Sequence, residues 1–366
     1  MLRNIRRLED HVSRHGVALL PHLKTVKCLD IAQLLLAGGT GPATVSTLAE
    51  AEVLAGAGVR DITYAVGITP QKLDRVAAIR ATGCDLSVLL DSAEQARAVA
   101  AASHRHGQPI PALIELDCDG HRSGLVLDGP DGTANPALLE LGRILHEGGA
   151  ELRGVLTHAG ESYSVRGREA HAAFAEQERL AAVTAAERLR AANLPCPVVS
   201  IGSSPTAHAA RNLEGVTEVR AGVYVFFDLV QAGIGVCGLD DLALSVLTTV
   251  IGHQRDKGWV LTDAGWTALS QDRGTAEQEL DQGYGLVCNQ AGQVLPDLLV
   301  IQANQEHGII ARRPGSTAPM PELPLGTTLR ILPNHACATA TQFDHYDVIP
   351  PEAGAPLKTW RRFAGW

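Results

Sequence analysis

The sequence predicts an α/β protein, a (β/α)8 TIM-like barrel followed by a second, mostly β domain, and three observations carry that prediction. Eight short runs of aliphatic and β-branched residues recur through the first 225 positions. Alanine- and leucine-rich stretches with helical spacing separate most of them, which implies a parallel sheet, and eight repeats imply closure into a barrel. Past about residue 235 the helical spacing becomes scarce while alternating apolar segments continue. The expected division is 1–235 for the barrel and 236–366 for the β domain.

The elements follow in order. Ile5, Leu8 and Val12 fall on one face of an opening helix, and the interleaved charges rule out a signal peptide or a membrane span there. The runs 17–20, 43–46, 62–66, 86–90, 112–116, 152–157, 198–201 and 219–225 read as the eight barrel strands. A capping signal at Ser46-Thr47 opens the helical stretch after the second run. An open, doubly wound sheet is the competing architecture, but no Gly-x-Gly-x-x-Gly turn follows the first strand. In the second part 242–251, 259–263, 298–302 and 328–332 read as strands. Glu306-His307 is read as a hairpin turn or as an acid-base partner near a metal.

Composition narrows the function. A chain of 366 residues with 45% hydrophobic content can bury a large core, and its formal net charge of -9 gives no reason to expect nucleic acid or a membrane surface. A small molecule is the expected partner. Seven scattered cysteines suit a reducing, cytoplasmic setting better than a disulfide scaffold.

The chemistry begins at Lys24, in Leu20-Pro21-His22-Leu23-Lys24-Thr25, where the first strand ends. A lysine there can enter the barrel mouth and act as a Schiff-base amine. Phosphate commonly binds after strands seven and eight of such barrels. Gly202-Ser203-Ser204 and Ala221-Gly222-Val223-Tyr224 occupy those places. After strand five, Arg122 could hold a cofactor's edge or pair with Asp117 or Asp119, and after strand six His158 or Tyr163 could face a ligand. Far downstream, His335-Ala336-Cys337 offers an imidazole and a thiolate to an ion such as zinc; read as an extended segment, it would point both to one face.

These runs, PHLKTVKCLDIA, DCDGHRSG, THAGESY, SIGSSPTA, EVRAGVYVFFD and LPNHACAT, resemble the D-serine dehydratase and D-threonine aldolase family, pyridoxal-phosphate enzymes of the alanine-racemase-like barrel type, over nearly the whole chain and in order. The resemblance implies that Lys24 is the Schiff-base lysine, that Arg122 and Tyr163 contact the cofactor, and that Ser204, Gly222 and Val223 help hold its phosphate. It makes His335 and Cys337 the metal pair, for Zn2+ or another divalent ion such as Mn2+ or Co2+, and implies a homodimer. Family aldolases tend to carry Asp where Cys337 stands, so the thiolate favours the dehydratase branch and a D-3-hydroxy amino acid substrate. A D-threonine aldolase, a non-catalytic pyridoxal-phosphate carrier and a metal-dependent barrel hydrolase are the other readings. Family members usually begin with an additional strand-forming segment, so either the chain starts internally or the second domain lacks a strand, in which case an exposed sheet edge is expected.

Overall fold

The computed structural model describes residues 1–36, 39–120, 122–350 and 354–365. Contacts group them into two compact units, Ile5–Gly222 with Asp347–Trp366, and Met1–Asn4 with Val223–Tyr346.

The first unit is the predicted barrel. Its strands are β1 (Ala18–Pro21), β2 (Ala43–Val45), β3 (Asp61–Gly67), β4 (Asp85–Leu90), β5 (Pro111–Leu116), β6 (Glu151–Thr157), β7 (Val198–Ile201) and β8 (Glu218–Ala221). They pair in parallel in the order β1-β8-β7-β6-β5-β4-β3-β2. A parallel bridge between His22 and Thr44 joins the two end strands, supported by Leu23 N donating to Thr44 O at 2.9 Å. All eight sequence runs overlap these strands; the eighth, expected over 219–225, is cut short, because β8 ends at Ala221 and Val223–Val225 form a helical turn. Strands covered on both faces read as continuous apolar text, and every residue of β5 is buried.

Local chemistry sets the helices between them. Thr47 Oγ1 accepts from Glu50 N at 3.1 Å to start Leu48–Gly56. Ser92 and Gln95 form a reciprocal cap on Ala93–His106, which ends where Gly107 takes the left-handed conformation at φ 66°. In the opening helix, Leu2–Ser13, the stripe Ile5, Leu8 and Val12 is buried as its spacing requires.

The second unit is an antiparallel barrel of six strands, β9 (Val246–Gln254), β10 (Trp259–Thr262), β11 (Leu286–Asn289), β12 (Val294–Ala303), β13 (Gly308–Arg312) and β14 (Thr328–Leu332). The ring closes in the order β10-β13-β12-β11-β14-β9. Val250, Val260, Val287, Val300, Ile310 and Ile331 fill its core. The expected open edge is therefore corrected, because β9 pairs with β10 on one side and β14 on the other. Strands β11 and β13 add to the four expected from the sequence. The Glu306-His307 pair lies in the β12–β13 turn, where Asn304 N donates to His307 O at 2.8 Å, so the turn reading holds. After the second unit the chain returns to the first barrel, where Phe363 N donates to Lys27 O at 2.8 Å.

Candidate active site

Lys24 lies in a tight turn at the C-terminal end of β1. Val26 N and Lys27 N both donate to Leu23 O, at 3.1 and 2.8 Å, while β2 anchors Leu23. The Lys24 side chain is exposed, so the strand end presents the amine to solvent. Two imidazoles share its surroundings, and both are biased toward the neutral form. Burial, and then the charges of Lys24, Arg220, His158 and Arg122, hold His22 well below the ordinary histidine value. Burial and the Arg122 guanidinium, despite a bond to Gly202, pull His158 down to about 3. His158 Nδ1–H donates to Gly202 O at 2.7 Å, so the neutral ring keeps Nε2 as an acceptor. Arg122 is exposed, and Tyr163 closes the turn Gly160–Tyr163 with its ring 6.4 Å from that of His158.

After β7 the chain makes a turn suited to an anion. Ser203 caps the short helix Ser204–Ala209 by accepting from Thr206 N at 3.2 Å. Ser204 Oγ is buried and has no hydrogen-bond partner. Such an orphan costs about 1–3 kcal/mol, a need that a phosphate oxygen would meet. The backbone around it leaves no room for side chains. A Cβ on Gly202 would stand 2.0 Å from Arg220 O, and one on Gly222 would stand 2.8 Å from His22 O. Gly222 thus lets the end of β8 lie against the end of β1, and Val223, buried, begins the next turn. These groups fit pyridoxal phosphate: an exposed amine, an unmet buried hydroxyl and a glycine-lined approach.

Two buried charges organise this end of the barrel, and the sequence reading assigned neither a role. Glu178, in the helix Arg168–Ala191, has no exposure. Its Oε1 accepts from Ala159 N at 3.0 Å and Gly202 N at 2.9 Å, and its Oε2 accepts from Thr206 Oγ1 at 2.8 Å. One carboxylate thereby ties the loops after β6 and β7 together; burial raises its pKa against the pull of those bonds. The signal was present, since Glu178 interrupts the buried stripe of Ala175, Ala182, Ala185 and Leu189. Arg220 donates to Thr157 O at 2.6 Å and also to Ser200 Oγ, which in turn donates to Glu218 Oε1 at 2.5 Å.

The second unit holds the other candidate centre. His335 is extended (φ -133°, ψ 109°) and caps the helix Ala336–Ala340, so Cys337 stands in a helical first turn. The expectation of an extended His-x-Cys segment is corrected: the strand-to-helix corner, not a two-residue period, brings the imidazole into hydrogen-bonding contact with the Cys337 sulfur. His335 Nδ1–H donates to Asp272 Oδ2 at 2.7 Å, which points Nε2 away from Asp272 and toward ligation. Burial opposes a charge on His335, but Asp272, Cys337 and Asp228 overcome it and push the imidazole up to about 11. Asp228 accepts from Ala336 N at 2.9 Å and Gln231 N at 3.0 Å, and burial raises it to about 6. Among the described residues no group of three His, Cys, Asp or Glu could hold a metal. His335 and Cys337 could therefore supply two ligands, with the rest from water or substrate.

A parallel barrel with a lysine turn after its first strand, joined to an antiparallel barrel, defines a two-barrel class of the alanine-racemase type. Residues 1–230 match the alanine racemase N-terminal domain and residues 243–349 a serine dehydratase domain, so the chain belongs to the family in which these two are joined. Its relatives sharpen the picture. It is 54% identical over 368 residues to the D-threo-3-hydroxyaspartate dehydratase of Delftia sp. (strain HT23), covering 100% of this chain and 95% of that one. The solved structure of that dehydratase superposes with a TM-score of 0.94 at 52% identity, again over 100% and 95% of the two chains. Solved variants of it include a cysteine-to-alanine form described as metal-free and a histidine-to-alanine form, the two positions lying two residues apart. The D-serine dehydratase of Dictyostelium discoideum is 26% identical, over 94% of this chain and 90% of its own.

Proposed function

We propose that this chain is a pyridoxal-phosphate- and divalent-metal-dependent dehydratase that converts D-threo-3-hydroxyaspartate to oxaloacetate and ammonia. The observation that carries the reading is 54% identity, end to end, to a dehydratase of that substrate. The His-x-Cys spacing of His335 and Cys337 matches that of the two residues replaced in its solved variants.

Pyridoxal phosphate, when bound, supplies an electron sink for the Cα–H bond of an attached amino acid. Lys24 would hold it covalently, Ser204 and the Gly202 and Gly222 backbone would hold its phosphate, and Arg122 and Tyr163 would contact it. Once the substrate amine has displaced it, the freed Lys24 Nζ would take the Cα proton of the substrate. Neutral His22 and His158 add no positive charge beside that amine. His335 and Cys337 would hold a divalent metal (zinc, manganese or cobalt), which would supply Lewis acidity for loss of a hydroxyl. Asp272 orients His335 for that task, and loss of the hydroxyl leaves an enamine that water converts to the keto acid and ammonia. The working form is a cytoplasmic homodimer; all seven cysteines are free, in keeping with a reducing compartment.

Replacing Lys24 with alanine tests the reading. The variant should lose turnover and the cofactor's visible absorbance, and it should keep its fold because the side chain is exposed. Full activity in that variant would overturn the proposal.

A further inference from the structure

The end of the chain reaches the turn that bears Lys24. Arg362 forms an antiparallel bridge with Cys28, Phe363 N donates to Lys27 O at 2.8 Å, and Arg362 Nε donates to Val26 O at 3.2 Å. The amides of Val26 and Lys27 are satisfied inside the turn by Leu23 O. Their carbonyls are satisfied by the tail. Between these two sets of bonds Lys27 adopts φ 41°, in the left-handed region that non-glycine residues seldom enter. Its ammonium is pinned 3.0 Å from Oε1 of Glu50, whose Oε2 accepts from Ser46 N at 3.0 Å. An unfavourable backbone conformation persists where its surroundings over-determine it. Here Glu50 holds one side and residues 362–363 the other, three positions from Lys24.

We infer that residues 362–363 are a positioning strap for Lys24: by holding the Val26 and Lys27 carbonyls they fix the turn from which the amine projects. The inference rests on Lys24 being the cofactor-bearing lysine. Without the strap Lys27 relaxes toward ordinary backbone angles and the Lys24 amine samples more directions. Both cofactor attachment and kcat then fall, while the substrate KM changes little.

The test compares F363P, which removes the amide donor, with F363A, which keeps it, and adds R362A in case the proline variant fails to fold. Pyridoxal phosphate is titrated by its visible absorbance. Borohydride trapping followed by peptide mapping then shows where it is attached, and a thermal melt checks folding. F363P and R362A should bind the cofactor several-fold to about tenfold more weakly and show a matching fall in kcat, with F363A close to the unaltered protein. Unchanged cofactor affinity in folded F363P and R362A, with the cofactor still trapped on Lys24, would overturn the strap. Trapping on another residue in the unaltered protein would instead overturn the assignment of Lys24, so the two failures are separable.

Discussion

Replacing Glu178 with alanine should destabilise the first barrel far more than most single substitutions. The carboxylate accepts from two backbone amides, Ala159 N and Gly202 N, and from the Thr206 hydroxyl. The hydroxyl can turn toward Ser203 O, 3.4 Å away, but the amides cannot turn. Two buried amides without partners cost about 1–3 kcal/mol each, so the loss is roughly 2–6 kcal/mol. That is a large share of a typical stability of about 5–15 kcal/mol. Glutamine keeps a carbonyl for both amides and should cost about 1 kcal/mol, the scale of a single exchanged bond. The pH dependence has a definite sign. Because burial raises the carboxyl in the folded state, its favourable contribution is complete below the ordinary value of 4.5 and is lost as pH rises through the folded value. The glutamine variant lacks this titration, so the stability gap between it and the unaltered protein should narrow as pH rises above 4.5. Denaturant unfolding at several pH values measures both effects. An alanine variant within 0.5 kcal/mol of the unaltered protein, well under the roughly 2–6 kcal/mol expected, would refute the reasoning, as would a gap that widens with pH.

Three further outcomes follow from the same geometry. Ser204→Ala removes a hydroxyl that has no partner, so the melting temperature should hold while pyridoxal-phosphate affinity drops roughly tenfold or more, measured by absorbance titration. Asp272→Ala should weaken metal binding by about 10–100-fold, read by competition with a chelator, because His335 loses the carboxylate that orients it. His158→Asn should make stability less sensitive to acid: the depressed histidine is a stabilising arrangement above its ordinary 6.5 that is lost as pH falls toward about 3, so the unaltered protein should lose ground to the variant between pH 7 and 5.

The first barrel was legible because its code is local. Each strand is a short apolar run, most helices are alanine- and leucine-rich stretches with helical spacing, and Lys24 follows directly from its place after the first run. The second barrel was only half legible. Gly308–Arg312 is a short apolar run closed by an arginine, too short for period to distinguish strand from helix, and Leu286–Asn289 has just four residues. Glu178 was visible as a charge in an apolar stripe, but its partners, two loop amides and a hydroxyl on the helix Ser204–Ala209, lie 19 to 28 positions away. The His335–Cys337 contact depends on a strand-to-helix corner that residue spacing does not encode. The tail is the extreme case: Arg362 meets Val26 across 336 positions, and nothing local in either segment announces the other.

The most direct measurement is product analysis with D-threo-3-hydroxyaspartate, run beside D-serine and D-threonine, with and without chelator. Oxaloacetate and ammonia should form from D-threo-3-hydroxyaspartate in preference to the other two, with activity lost on chelation and restored by a divalent metal. Glycine and an aldehyde as the products would contradict it and place this chain with the aldolases.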